Sequence, residues 1–405
     1  MTAYLQRDTF PLHRLENIMK KTNNISLDIE TKVSQALRFL DETTGAVTPN
    51  IQLSATYARD ANYEIRKPYW YRRDGNETTA QAEEIIAELE GAEDSILFSS
   101  GMSAATAIID NLPHGAHVVL PKVMYHGVLQ QFQRYHKLNR LSISHYEAGN
   151  LREMETAIID GKTELVWVET PNNPDWAVTD IAAAAEISHS HNAKLLTDCT
   201  ATPPCLTKAL ELGSDISFHS ATKFLNGHSD VTSGVLSTRM LDVSWENLYL
   251  IRKLQGTVLN TLEAWLLIRG MRTLFLRVEK CCENAMVIAN HFERHSLIES
   301  VLYPGLKSHP GHDVSKSQTN GKFGSMLSII VKGEEKTAID VARNCKVFYP
   351  ATSLGGVESL IEHRKTVSGD GFPVHPRLLR ISVGIENPSD LIWDLEQSLS
   401  LANNN

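Results

Sequence analysis

The segment Asp215-Ile-Ser-Phe-His-Ser-Ala-Thr-Lys-Phe-Leu-Asn-Gly-His-Ser229 is the richest in reactive side chains. Its apolar run ends near His219. Two hydroxyls and a lysine follow at Ser220, Thr222 and Lys223. A lysine at a strand end, inside a crevice, suits imine chemistry with a carbonyl compound. Ser220 and Thr222 can donate to a phosphate beside it. A solvated lysine after a strand is the bland alternative, and the neighbouring hydroxyls weigh against it. Asp198 closes another apolar run, 25 residues before Lys223. A carboxylate buried there needs a cationic or hydrogen-bonding partner. A protonated pyridine nitrogen is one such partner, and an N-cap role is the other reading.

Further groups fall in the same order of strand ends. Phe98-Ser-Ser-Gly-Met-Ser-Ala-Ala-Thr-Ala107 is a small-residue turn opening an apolar helix. Amides at Ser100, Gly101 and Met102 would face an anion there, assisted by the helix dipole. Tyr125 follows the run His117–Leu120 and can stack on a ring or simply pack. Glu169-Thr-Pro-Asn-Asn-Pro174 ends another strand and leaves Asn173 able to reach a ring hydroxyl. Arg380, inside the apolar run Leu379–Val383, suits a carboxylate bidentately or an internal salt bridge.

These groups need a parallel scaffold. Apolar runs at His117–Leu120, Leu165–Val168, Leu195–Thr197, Ile216–Phe218 and Gly234–Leu236 read as buried strands. Helices over Ala80–Leu89, behind Thr78-Thr79, and over Ile181–His191, behind Thr179-Asp180, alternate with them. The expected fold class is α/β, with a mostly parallel sheet covered on both faces and ligands at the carboxyl ends of its strands. Beyond residue 255 the pattern changes. Long helices are expected over Thr261–Val278 and Glu279–Arg294, with shorter ones over Glu335–Asn344 and Ser389–Leu401. Strands are expected at Met326–Val331, Val347–Tyr349 and Leu378–Val383. The domain reading is an N-terminal arm over 1–60 with a helix at Thr31–Leu40, a large domain over 61–258, and a smaller α+β domain over 259–405.

Composition bounds the function. The chain has 405 residues, 42% hydrophobic and 21% charged, with a net charge of −9. That balance argues against general nucleic-acid binding. No apolar run approaches the ~20 residues of a membrane span. Met1–Lys21 lacks the apolar core of a secretory signal, so the cytoplasm is expected. Five cysteines without a C-x-x-C argue against a disulfide framework or structural zinc. The absence of an early G-x-G-x-x-G disfavours a nicotinamide-binding protein.

Taken in this order, the motifs resemble the Cys/Met-metabolism family of pyridoxal-5′-phosphate enzymes, from about Thr44-Gly-Ala-Val-Thr-Pro49 to Asp394-Leu-Glu-Gln397. That family includes cystathionine γ-synthases, γ- and β-lyases, methionine γ-lyases and homoserine sulfhydrylases. The resemblance implies fold type I, with a seven-stranded-type large-domain sheet, and a homotetramer built from dimers with shared active sites. It implies that Lys223 carries the cofactor as a Schiff base and moves protons at the substrate. It implies that Asp198 partners the pyridine nitrogen. Tyr125 stacks on the ring and is a candidate acid/base, while Asn173 contacts the ring oxygen. Ser100, Gly101, Met102, Ser220 and Thr222 form the phosphate cradle. Tyr71 and Arg73 reach a neighbouring subunit's phosphate. Arg380 clamps the substrate carboxylate, with Ser353 nearby. The implied reaction is γ-replacement on an O-acylhomoserine by cysteine, with C–S lyase or sulfhydrylase activity as the alternative. An aminotransferase is disfavoured by the Lys223 segment, and a cofactor-bound protein without catalysis by the presence of every cofactor position.

The departures from the family pattern concern the substrate. Asn76-Glu77-Thr78 stands where the family has Asn-Pro-Thr, and Tyr125-His-Gly-Val-Leu129 loses a second aromatic. Thr352 replaces a glutamate that in many relatives would attract the distal ammonium of cystathionine. Glu362-His-Arg-Lys-Thr366 places Arg364 near the expected substrate mouth, and a shortened loop follows. His126 and Arg364 together would suit an acidic side chain.

Overall fold

The computed structural model describes residues 27–66, 69–369 and 373–403. The segment Met1–Lys21, part of the expected arm, lies outside the described residues. Seven strands form the larger sheet: β1 (Asp94–Phe98), β2 (Ala116–Pro121), β3 (Leu141–Tyr146), β4 (Thr163–Glu169), β5 (Lys194–Asp198), β6 (Ile216–His219) and β7 (Gly234–Thr238). Their order is β1-β7-β6-β5-β4-β2-β3. Neighbours from β6 through to β3 are parallel, whereas β7 runs against both β1 and β6. Six strands therefore end at one edge of the sheet, and β7 begins there.

Alternation along β4 shows why both faces are covered. Leu165 and Trp167 join one apolar cluster, with Phe98, Phe132 and Phe218. Val166 and Val168 join the opposite one, with Ile181 and Leu195. A strand buried on both sides has no polar face, so its sequence reads as a continuous apolar run.

The smaller sheet holds β8 (Ile298–Leu302), β9 (Met326–Val331), β10 (Tyr349–Pro350), β11 (Leu360–His363) and β12 (Leu378–Ser382), in the order β10-β11-β12-β9-β8. Apart from the parallel β10–β11 pair, its ladders are antiparallel. Its own apolar cluster gathers Leu327, Ile361, Leu379 and Leu395.

Several boundaries differ from the sequence expectation for identifiable reasons. The expected helix Thr261–Val278 breaks into Thr261–Met271 and Leu274–Phe292. Buried Arg277 donates to Gly270 O at the break (2.8 Å) and to Phe224 O in the turn after β6 (3.1 Å). The strand expected at Val347–Tyr349 begins only at Tyr349. The amides of Lys346, Val347 and Phe348 donate instead to the buried Asp394 carboxylate, at 2.7, 2.7 and 2.9 Å. The N-terminal helix covers Ile29–Ser34, because Ala36, Leu37 and Arg38 take positive φ. The helix expected at Ala80 starts at Glu77, capped by Asn76 Oδ1 accepting from Thr79 N (2.9 Å). Thr78 and Thr79 are helical rather than capping.

Candidate active site

The strand-end edge and the smaller sheet enclose a cavity of about 240 Å³. Its wall contains Ser100, Gly101, Met102, Tyr125, Asn173, Asp198, Ser220, Thr222, Lys223, Ser353 and Arg380. Those eleven expected residues come from strand ends, a helix start and loops separated by up to 280 positions. Tyr71 and Arg73 are not among them. Both are exposed, and the Arg73 guanidinium lies 5.2 Å from the centre of the Tyr71 ring.

Lys223 enters from the turn after β6. Its Nζ donates to Ser353 Oγ at 2.9 Å. Burial, then the Arg380 charge, pushes its amine down to about 8. A neutral amine is the nucleophile that condenses with a carbonyl. On the next strand Asp198 is buried and accepts from Thr200 N at 2.9 Å. Burial raises its carboxyl despite the Thr200 hydrogen bonds. Glu169 is paired with Asp198 in the β4–β5 register. Burial, then Asp198, pushes its carboxyl up to about 8. Two buried carboxyls this close disfavour double ionisation, and a cation in the cavity at the ends of β4 and β5 would relieve the conflict.

The anion cradle is built by helix geometry. Ser100 caps the helix Gly101–Asn111, its Oγ accepting from Ser103 N at 3.0 Å. Backbone pairing inside that helix begins with Ala104 N to Ser100 O, so the Gly101 and Met102 amides stand in the unpaired first turn. Close approach is essential here. A Cβ on Gly234 would lie 2.4 Å from Ser100 O, and one on Gly101 would lie 3.1 Å from Ser220 Cβ. Ser220 N donates to Thr200 Oγ1, and the Thr222 hydroxyl is tied to Ser233, accepting from Ser233 N at 2.9 Å.

Glu169 also sets two cavity residues. Its carboxylate accepts from Tyr125 N (2.7 Å) and Asn173 N (2.9 Å). Tyr125 precedes the helix His126–Lys137, and no side chain of its own caps that helix. Glu169 was legible in the sequence only as a strand terminus; its pairing across β4 and β5 required the fold.

Arg380 is buried on β12. It donates to Glu362 Oε2 (2.7 Å), to Ser353 O (3.1 Å) and more weakly to Asn173 Oδ1 (3.4 Å). Arg364 lies in the buried wall of the cavity rather than at its mouth, at 1% exposure. It shares Glu362 Oε2 at 3.1 Å, while Thr352 Oγ1 donates to Glu362 Oε1 at 2.7 Å. Glu362 was not singled out from the sequence. Its spacing of two from Arg364 was the available signal, and β11 pairs it with Arg380.

A buried, deprotonatable lysine, paired carboxyls and a helix-terminal anion cradle define an enzyme that binds a phosphorylated carbonyl cofactor at the strand ends of an α/β sheet. Residues 30–400 match the Cys/Met metabolism PLP-dependent enzyme family. The chain belongs to that family, has fold type I, and uses pyridoxal phosphate. It is 38% identical over 389 residues to a cystathionine gamma-lyase of Dictyostelium discoideum, covering 94% of this chain and 99% of the relative. It is 39% identical over 367 residues to a cystathionine gamma-synthase of Mycobacterium bovis, covering 89% and 93%. The crystal structure of cystathionine gamma synthase from Xanthomonas oryzae pv. oryzae in complex with aminoacrylate and cysteine superposes with a TM-score of 0.87. That match has 32% identity and covers 94% of this chain and all of that one. Among the described residues no helix is long and apolar enough to cross a membrane.

Proposed function

We propose that this enzyme is a cystathionine γ-synthase-like transferase. It would join an O-acylhomoserine to cysteine, breaking the Cγ–O bond, releasing the carboxylic acid and bonding the cysteine sulfur to Cγ. Pyridoxal phosphate supplies an aldehyde that condenses with amines and a ring that draws electron density from the substrate α-carbon. Lys223 holds the cofactor, then accepts and returns protons at the substrate carbons. Asp198 offsets the positive ring nitrogen. Gly101 and Met102 amides, with Ser100, Ser220 and Thr222, receive the phosphate. Tyr125 stacks on the ring and serves the departing group. Asn173 meets the ring oxygen. Arg380 and Ser353 fix the α-carboxylate.

One observation carries the choice of synthase over a lyase acting on cystathionine. Both Glu362 oxygens are occupied, by Thr352 on one side and by Arg364 and Arg380 on the other. Glu362, the carboxylate beside Thr352, is thus already engaged rather than offered to a distal ammonium, so cystathionine is favoured as a product to release. The family relationship supports a C–S lyase as the second reading.

The exposed Tyr71–Arg73 pair supports a further part of the proposal, a homotetramer in which these residues complete a neighbouring subunit's phosphate site. The division into an arm over 1–60, a large domain over 61–258 and a small domain over 259–405 belongs to the same reading, as does a cytoplasmic location. The two sheets support the division.

The test is product analysis of the purified enzyme with O-succinylhomoserine, with and without cysteine. Cysteine-dependent cystathionine is expected. Formation of 2-oxobutanoate and ammonia at a rate indifferent to cysteine would overturn the synthase reading in favour of a lyase. A visible absorbance band lost in Lys223→Ala reports the cofactor linkage independently.

A further inference from the structure

Beyond the α-carboxylate clamp, the cavity wall holds a second buried guanidinium. Arg364 follows β11, is 1% exposed, and lines the cavity with Lys223, Tyr125 and Arg380. An arginine carries five N–H donors. Here Nη1 reaches Glu362 Oε2 at 3.1 Å and Nη2 reaches His126 Nδ1 at 3.1 Å. Nε is buried and has no acceptor among the described residues. His126 offers no charge in return, because its Nδ1 accepts from Arg364, and burial, then the Arg364 charge, holds the ring below its ordinary range. Glu362 is shared between two guanidiniums, and its second oxygen is taken by Thr352. A desolvated guanidinium with an unmet donor favours a planar anion.

We infer that Arg364 is a specificity-determining residue that binds an anionic group, most fittingly a carboxylate, at the end of the substrate's side chain. Arg380 would take the α-carboxylate and Arg364 the distal one. Amino acids with an acidic side-chain terminus are then preferred over neutral ones, and those with a cationic terminus are rejected. The inference rests on the reading of this cavity as an amino-acid site and narrows its substrate class.

The test titrates the pyridoxal phosphate-loaded enzyme with acid and amide pairs of equal length. These are aspartate and asparagine, glutamate and glutamine, and 2-aminoadipate and its side-chain amide. The shift of the cofactor's visible band gives Kd. At one chain length or more, the acid should bind about tenfold to a hundredfold more tightly than its amide. Arg364→Gln should abolish that preference, the acid losing about tenfold or more relative to its amide, and Arg364→Lys should restore part of it. Both variants are compared after the unliganded visible spectrum and near-UV dichroism confirm the fold. Should Arg364→Gln fail to fold, Arg364→Lys and the wild-type preference carry the test. Equal binding of acid and amide at all three lengths overturns the inference alone, as does an equal loss for both in Arg364→Gln. If no amino acid shifts the band, the amino-acid site itself is refuted and the inference falls with it.

Discussion

Lys223 Nζ donates to the hydroxyl of Ser353, and Ser353 sits at a φ of +135° without being glycine. The same residue gives its carbonyl to Arg380. One strained backbone position therefore holds both the lysine and the arginine of the site, and strain of this kind persists only where surrounding contacts over-determine it. Ser353→Ala and Ser353→Gly both remove the hydroxyl, but only glycine relieves the dihedral. The glycine variant should be the more stable of the two by about 1 kcal/mol in urea unfolding of the cofactor-free protein. Equal midpoints would refute the strain.

The Lys223 amine, pushed down to about 8, sets a pH dependence. Cofactor capture needs the neutral amine. Its rate in cofactor-free enzyme should climb about tenfold per pH unit below 8 and flatten above it. Stopped-flow absorbance measures this. A climb continuing to pH 10 would mean the amine is not perturbed.

Glu169 carries the opposite sign. Its unfolded carboxyl loses a proton near 4.5, whereas the folded one keeps it to about 8. Between those values the folded state binds the extra proton, so its contribution to stability is present below about 4.5 and lost as pH rises through 8. Glu169→Gln should flatten that fall in the cofactor-free protein, leaving the part that Asp198 contributes. Denaturant midpoints from pH 5 to 8.5 check it, and an unchanged slope would count against the pairing.

Asp394 bridges three consecutive amides in the smaller sheet's approach loop. Asp394→Ala leaves those three amides without their acceptor, the Phe348 one in a buried place, and should cost about 1–3 kcal/mol. Because Asp394 is not among the residues that line the cavity, kcat per folded molecule should hold. Thermal unfolding together with active-site titration separates the two effects.

Arg380→Lys keeps the charge but loses the planar fork that reaches Glu362 and Ser353. Its kcat/KM should fall about tenfold to a hundredfold, largely through KM. A loss confined to kcat would move Arg380 from binding to chemistry.

The buried strands of the larger sheet and the order of loop motifs were legible in the chain. A strand buried on both faces must be continuously apolar, so β2, β4, β5, β6 and β7 announced themselves. So did the reactive groups at such strand ends, because Asp198 closes β5 while Lys223 and Asn173 sit just past β6 and β4. The edge strand β3, with its mixed burial, gives a weaker signal. What only tertiary structure decided were the pairings across sequence distance. Glu169 meets Asp198 through a strand ladder, Ser353 meets Lys223 across 130 positions, and Glu362 joins Arg364 to Arg380. Local sequence dictates period, caps and turns because those forces act within a few residues. The sharing of one buried carboxylate by two guanidiniums depends on which surfaces the core brings into contact, and no local pattern carries that information.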